Sequence, residues 1–172
     1  KPAALISARS GMKLAEVGAG TGFLTELLAR QVGPNGKVFA LDMNPQLLLR
    51  VGNRARQAGL TNVEPALMSG ASLGLPQKST DVAILCDVYH RLEDSETTLR
   101  SIHRALRQRG ELIVVERHRI PGVSPTAVLE QVRAGQEVFT KEIESARFSF
   151  VRVEDAPFLK DSYVLRFRKR GE

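Results

Sequence analysis

Lys13 to Gly22 reads KLAEVGAGTG, and Phe23 to Val32 continues FLTELLARQV. The first five residues are a short apolar run, the next five are glycine-rich, and Phe23, Leu24, Leu27 and Leu28 then fall on one helical face. Strand, glycine loop, helix is the order in which a backbone can approach a ligand closely, because glycine tolerates sharp turns and carries no Cβ. A dinucleotide fingerprint needs a third glycine where this chain has Phe23, and a Walker loop needs a G-K-[ST] ending that is absent. Asp42 lies 22 residues beyond Gly20, at the end of the next apolar run, where a carboxylate can accept hydrogen bonds from ribose hydroxyls. Together these features predict a nucleoside ligand that lacks a pyrophosphate.

Outward from this unit the same cadence repeats. Gly33-Pro34-Asn35-Gly36 is a turn and Lys37 to Leu41 a buried strand. Asn44 followed by Pro45 is an N-cap with proline at the first helical position, and Gly59 is the stop. Leu47, Leu48, Val51, Ala55 and Ala58 keep the spacing of a helix that packs on a sheet. Asn62 to Leu67 is a third strand that Pro65 demotes to an edge, and Asp81 to Cys86 is an interior strand. Asp94 or Ser95 caps a helix carrying Leu99, Ile102, His103 and Leu106, which Gly110 is expected to end before a fifth strand, Glu111 to Glu116. Ser124-Pro125 opens a helix with Val128, Leu129 and Val132, and another carries Val138, Phe139 and Ile143. Phe148 to Val153 and Tyr163 to Arg168 alternate apolar and polar residues, as two antiparallel strands would. Repeating βα steps imply an α/β fold, a doubly wound and mainly parallel sheet.

With 172 residues, 42% hydrophobic and 26% charged, the chain is expected to be one folded domain. No apolar run approaches the ~20 residues of a membrane span. Cys86 is the single cysteine, so no intrachain disulfide forms, and a reducing, cytoplasmic setting is expected. The formal charge of +6 favours anionic partners without choosing among them, and nucleic acid remains open. The basic residues are scattered, with one dense tail, Arg166-Phe167-Arg168-Lys169-Arg170. Six of the nine aromatics lie between Phe139 and Phe167, where packing of a terminal hairpin is the expected role.

The segments EVGAGTG, LDMN, DVAILCD and LRQRGELIVVE, in this order and spacing, resemble a class I S-adenosylmethionine-dependent methyltransferase of the small-molecule type. The resemblance runs from about Met12 to Lys169 and implies a seven-stranded sheet in the order 3-2-1-4-5-7-6 with an antiparallel last strand. Within one domain over 1–172, it makes 1–11 the remnant of an N-terminal segment, 12–120 the cofactor-binding core, and 121–172 the C-terminal helices and hairpin. Few residues precede the first strand, so an N-terminal lid is expected to be lacking. The implied cofactor is S-adenosyl-L-methionine. By the same resemblance Gly18, Ala19, Gly20, Thr21 and Gly22 form the loop beneath its methionine part, and Glu16 orients that loop or meets the amino group. Asp42 would take the ribose and Met43 would lie against adenine. The acidic residue usual near the adenine amino group is replaced here, leaving Ala71 and Ser72 to make that contact.

Methyl transfer needs alignment and, for a protonated acceptor, a base. Asp87, Tyr89 and His90 follow an interior strand on the ligand-binding side of an open sheet and are the candidate catalytic residues, Asp87 also contacting the cofactor. His103 reads as a packing residue, His118 as part of a surface turn and Cys86 as a core thiol. No metal is expected, since the three histidines form no H-x-x-x-H pair. An N-P-P-Y motif for nucleobase amino groups is absent. The leading expectation is an enzyme methylating a small molecule. RNA or protein methylation and a non-catalytic binding domain are the alternatives.

Overall fold

The computed structural model describes residues 6–171. Seven strands form one sheet: β1 Lys13–Val17, β2 Lys37–Asp42, β3 Val63–Leu67, β4 Thr80–Cys86, β5 Leu106–Arg117, β6 Phe148–Val153 and β7 Ser162–Lys169. Their order is β3-β2-β1-β4-β5-β7-β6, with β7 antiparallel to both of its neighbours. This is the order implied by the methyltransferase resemblance. Helices α1 Phe23–Val32, α2 Pro45–Gln57, α3 Ser95–Ala105, α4 Thr126–Gln131 and α5 Gln136–Ser145 cover the sheet. No helix among the described residues is long and apolar enough to cross a membrane.

The central strands read as continuous apolar runs because both faces are covered. Leu14, Val82, Ile84, Ile113 and Val164 pack with Leu28, Ala29 and Val32 of α1. Their alternates Ala15, Ala83, Leu85, Leu112 and Leu165 pack with Leu99, Ile102, Phe139 and Ile143. Pro65 sits on the edge strand, paired in register with Ala40 and lacking a neighbour on its other side. Asn44 caps α2 by accepting the Gln46 amide at 2.9 Å, with Pro45 at the first turn. Asp94 caps α3 through the Thr97 amide at 2.9 Å.

Two expectations are corrected. Helix α3 ends at Ala105 rather than at Gly110, and Leu106 to Gly110 already belong to β5. Ser79 donates its amide to the Ala105 carbonyl and Leu106 pairs with Thr80, so strand pairing captures the chain a turn earlier. Gly110 serves a tight backbone instead, since a Cβ there would lie 2.9 Å from the Arg107 carbonyl oxygen. The basic tail, the second case, is strand β7 and not a solvated tract. Arg166 is 2% exposed and ion-pairs with Glu111 and Glu154, while the buried Lys169 ammonium donates to the Leu106 carbonyl at 2.9 Å. Clustered aromatics do what packing requires: Phe139, Phe148, Tyr163 and Phe167 are buried.

Candidate cofactor and acceptor site

Strand order reverses between β1 and β4, and at such a switch point the carboxyl ends of the strands open a crevice. The glycine loop fills that position. Gly18 and Ala19 donate their amides to the Leu41 carbonyl at 2.8 and 2.9 Å, strapping the loop to β2. Gly18, Gly20 and Gly22 all have φ in the left-handed region, at 77°, 55° and 80°. Their surroundings differ. A Cβ on Gly18 would come within 2.5 Å of Val88 Cγ2, and one on Gly22 within 3.2 Å of Val51. A Cβ on Gly20 would meet no heavy atom within 4 Å, so the loop presents open space there.

Asp42 closes the other side. Its Oδ2 accepts the Gly20 amide at 3.0 Å and its Oδ1 accepts the Asn44 amide at 2.9 Å, which fixes the carboxylate at the mouth of the loop. Met43, next to it, is 64% exposed, an apolar surface with nothing covering it among the described residues. The Met68 amide donates to the Asp42 carbonyl at 3.0 Å, so the chain leaving β3 returns to this end of the sheet. Ala71 and Ser72 follow in a turn closed by Ser69 and Ser72, with Ser72 exposed.

Glu16 lies beneath the loop, 3% exposed, and accepts a 2.5 Å hydrogen bond from the Thr25 hydroxyl of α1. Burial pushes its carboxyl up to about 7; the Thr25 hydroxyl opposes the shift and the nearby Asp42 carboxylate adds to it. Thr25 as its partner was not legible in the sequence.

Past β4 the chain is strained. Asp87 has φ 56°, unusual for a residue with a side chain, while its amide donates to the Val115 carbonyl at 2.9 Å. Arg117 donates to Asp87 Oδ2 at 2.8 Å, and Arg91 lies 3.6 Å from the same oxygen. Asp87 Oδ1 is buried with no hydrogen-bond partner.

His90 is buried, not displayed on a loop. Glu116 accepts its backbone amide at 3.2 Å and its Nδ1–H at 2.8 Å, and Arg91 Nε donates to Nε2 at 3.1 Å. These contacts give the imidazole the tautomer whose lone pair is on Nε2. Tyr89 requires a correction: it points into the core. Its ring is fully buried, edge-on to Phe139 at 5.0 Å, and its hydroxyl donates to Glu142 of α5 at 2.9 Å. In a three-residue 3-10 turn, Tyr89–Arg91, consecutive side chains diverge, so His90 turns to Glu116 while Tyr89 turns to α5.

Cys86 also departs from expectation. It is exposed at the carboxyl end of β4, because the strand's burial stops one residue earlier at Leu85. Partial desolvation, followed by the carboxylates of Glu16, Asp87 and Glu116, pushes its thiol up to about 11. Those three acids therefore share one rim. His103 stacks edge-on against Phe148 at 5.4 Å, and His118 leans on Tyr163 at 5.2 Å.

Among the described residues Asp87, His90 and Glu116 place ligand atoms within 4.8 Å of one another. A cation there would meet charges already balanced, since Arg117 and Arg91 flank Asp87 and the Nδ1–H of His90 is directed at Glu116. Glu116 and Arg117 were missed as site residues. Their only sequence signal is an acid and a base closing an apolar strand run.

The solved structure of an S-adenosylmethionine-dependent methyltransferase from Aquifex aeolicus superposes with a TM-score of 0.84 at 22% identity, over 93% of this chain and 83% of that one. The [4+2]-cyclase SpnF superposes with a TM-score of 0.82 at 18% identity, over 99% and 78%. At these identities the likeness is one of fold. Among curated proteins, the ubiquinone/menaquinone biosynthesis C-methyltransferases UbiE of Cronobacter sakazakii and Pasteurella multocida are 33% and 34% identical over 109 and 110 residues. Each match covers 63% of this chain, and only 43% and 41% of those proteins. The family of methyltransferase domains matches residues 8–156, and the chain belongs to that family.

Proposed function

We propose that the chain binds S-adenosylmethionine and transfers its methyl group to a small-molecule acceptor. The observation that carries this reading is the fixed Asp42 carboxylate facing the open side of Gly20, with family membership behind it. Gly18 to Gly22 would hold the methionine part, Asp42 the ribose hydroxyls and Met43 the adenine face. Ala71 and Ser72 would meet the adenine edge. When bound, the cofactor supplies an electrophilic methyl on a sulfonium.

What the chain itself must do is orient the acceptor and remove its proton. Asp87 is placed for the second task, because its Oδ1 has no partner while Arg117 holds Oδ2. His90 has a lone pair on Nε2 that Arg91 covers, and the exposed Arg91 side chain can withdraw to uncover it. Glu116 positions His90. C-methylation of a ring, the activity named for the UbiE relatives, is the form of transfer we carry over as the first to test.

The test is release of S-adenosylhomocysteine on mixing the chain with S-adenosylmethionine and phenol- or quinol-type acceptors. Turnover that falls at least tenfold in Asp87→Asn supports the assignment. Cofactor binding without turnover on any acceptor favours the binding-domain reading.

A further inference from the structure

A cavity of about 580 Å³ opens beyond the carboxyl end of β5, bounded by the start of β7 and by α4. Its walls combine the basic groups of Arg117, His118 and Lys160 with the apolar side chains of Ile120, Val123 and Val128. We infer that this cavity binds the methyl acceptor and selects one with an apolar, ring-sized body bearing a carboxylate or comparable anion. The inference rests on the methyltransferase reading and names the substrate class for the same site.

Position is the first ground. Arg117 lines the cavity and also donates to Asp87 at the end of β4, so the cavity and the candidate proton acceptor share a wall. Both lie at the end of the sheet where the glycine loop and Asp42 sit. The second ground is the lining itself. Val123 is 76% exposed and Ile120 46%, apolar surface that an occupant would remove from water. Lys160 is exposed and makes no ion pair among the described residues. Asp161 is the one acid of the lining, and its carbonyl accepts the His118 amide at 2.9 Å. An ammonium and a shared guanidinium beside an apolar wall match an amphipathic anion better than a neutral lipid or a cation.

The lip is held in shape. Ser124 accepts the Ile120 amide at 2.9 Å and donates to the His118 carbonyl at 2.7 Å, closing a short turn over the apolar side. Arg119 donates to the Val132 carbonyl at 2.7 Å and so ties that turn to the end of α4. The cavity is therefore built by local hydrogen bonds rather than left between loose ends.

The chain contains no tryptophan, so a naphthalene probe can be followed by its own fluorescence. Titrations of 2-naphthoate and of the neutral 2-naphthamide are compared on the full chain, on Lys160→Met and on Val123→Asp, with S-adenosylhomocysteine titrated into the same samples. Naphthoate should bind at least fivefold more tightly than naphthamide. Lys160→Met should erase that difference, Val123→Asp should weaken both probes, and S-adenosylhomocysteine should bind all three proteins alike. Equal binding of the two probes, or indifference to both substitutions, overturns the inference. Naphthoate binding with this pattern, but no S-adenosylhomocysteine binding, would instead overturn the cofactor reading and leave an anion site of the stated chemistry.

Discussion

Gly18 and Val88 are packed so closely that a Cβ on Gly18 would come within 2.5 Å of the valine Cγ2. The glycine loop and the strained segment after β4 are thereby locked into one rigid floor. Gly18→Ala meets both this clash and a left-handed φ of 77°, so it should lower stability by at least about 2 kcal/mol in urea denaturation. Gly20→Ala has no neighbour to strike and should lose only about 1 kcal/mol, yet it should weaken cofactor binding at least tenfold. The reverse pattern would mean that the open side of Gly20 is not where the ligand approaches.

Glu16 should make stability fall as pH rises. Its carboxyl is raised by burial to about 7 from a model value of 4.5, so between these values the folded chain holds a proton that the unfolded chain has released. The stabilising contribution is complete below pH 4.5 and is lost by pH 7, an effect of about 3 kcal/mol. Denaturation of Glu16→Gln across that window should show a flatter profile than the parent. A cationic ligand beside Glu16 would draw its proton off, so S-adenosylmethionine should bind more tightly as pH rises toward 8. Parallel profiles for the parent and Glu16→Gln would contradict this.

Cys86 reports on occupancy. An exposed thiol with its pKa pushed up to about 11 is mostly un-ionised at pH 8, so alkylation by iodoacetamide should run at least about tenfold slower than for a free thiol. S-adenosylhomocysteine should slow it further, since Cys86 shares a rim with Glu16 and Asp87. A rate equal to that of a free thiol would contradict the electrostatics described for this rim.

Glu116 supports two buried donors, the amide and the Nδ1–H of His90. Glu116→Leu should destabilise the fold by about 3 kcal/mol, because both are left unpaired in an interior that excludes water. Glu116→Gln keeps one acceptor and should lose less. A change under about 1 kcal/mol in Glu116→Leu, read from urea midpoints, would show that His90 is held by other means.

The sequence made legible what local chemistry determines. Glycines at 18, 20 and 22, the Asn44-Pro45 helix start, the edge position of Pro65 and the apolar strand runs each follow from backbone sterics or periodicity, and the structure has them in place. It left obscure what depends on distant partners. Gly110 looked like a helix stop, but pairing of Leu106 with Thr80 moved the boundary. Tyr89 and His90 looked alike as residues past a strand, and only α5 on one side and β5 on the other separate a core tyrosine from a Glu116-bound histidine. Cys86 looked internal because five of the six residues before it in β4 are buried. Arg166 looked solvated because Glu111 and Glu154 are far away in sequence.

Calorimetric titration of the chain with S-adenosylmethionine and S-adenosylhomocysteine, with Asp42→Ala alongside and NAD as the control, tests the central claim most directly. Saturable binding of both ligands at one site, weakened at least about hundredfold by Asp42→Ala, with no heat from NAD, is the expected result; removal of a carboxylate that pairs two ribose hydroxyls is worth roughly 3 kcal/mol. Binding of NAD, or binding of the two adenosyl ligands that Asp42→Ala leaves unchanged, would contradict it.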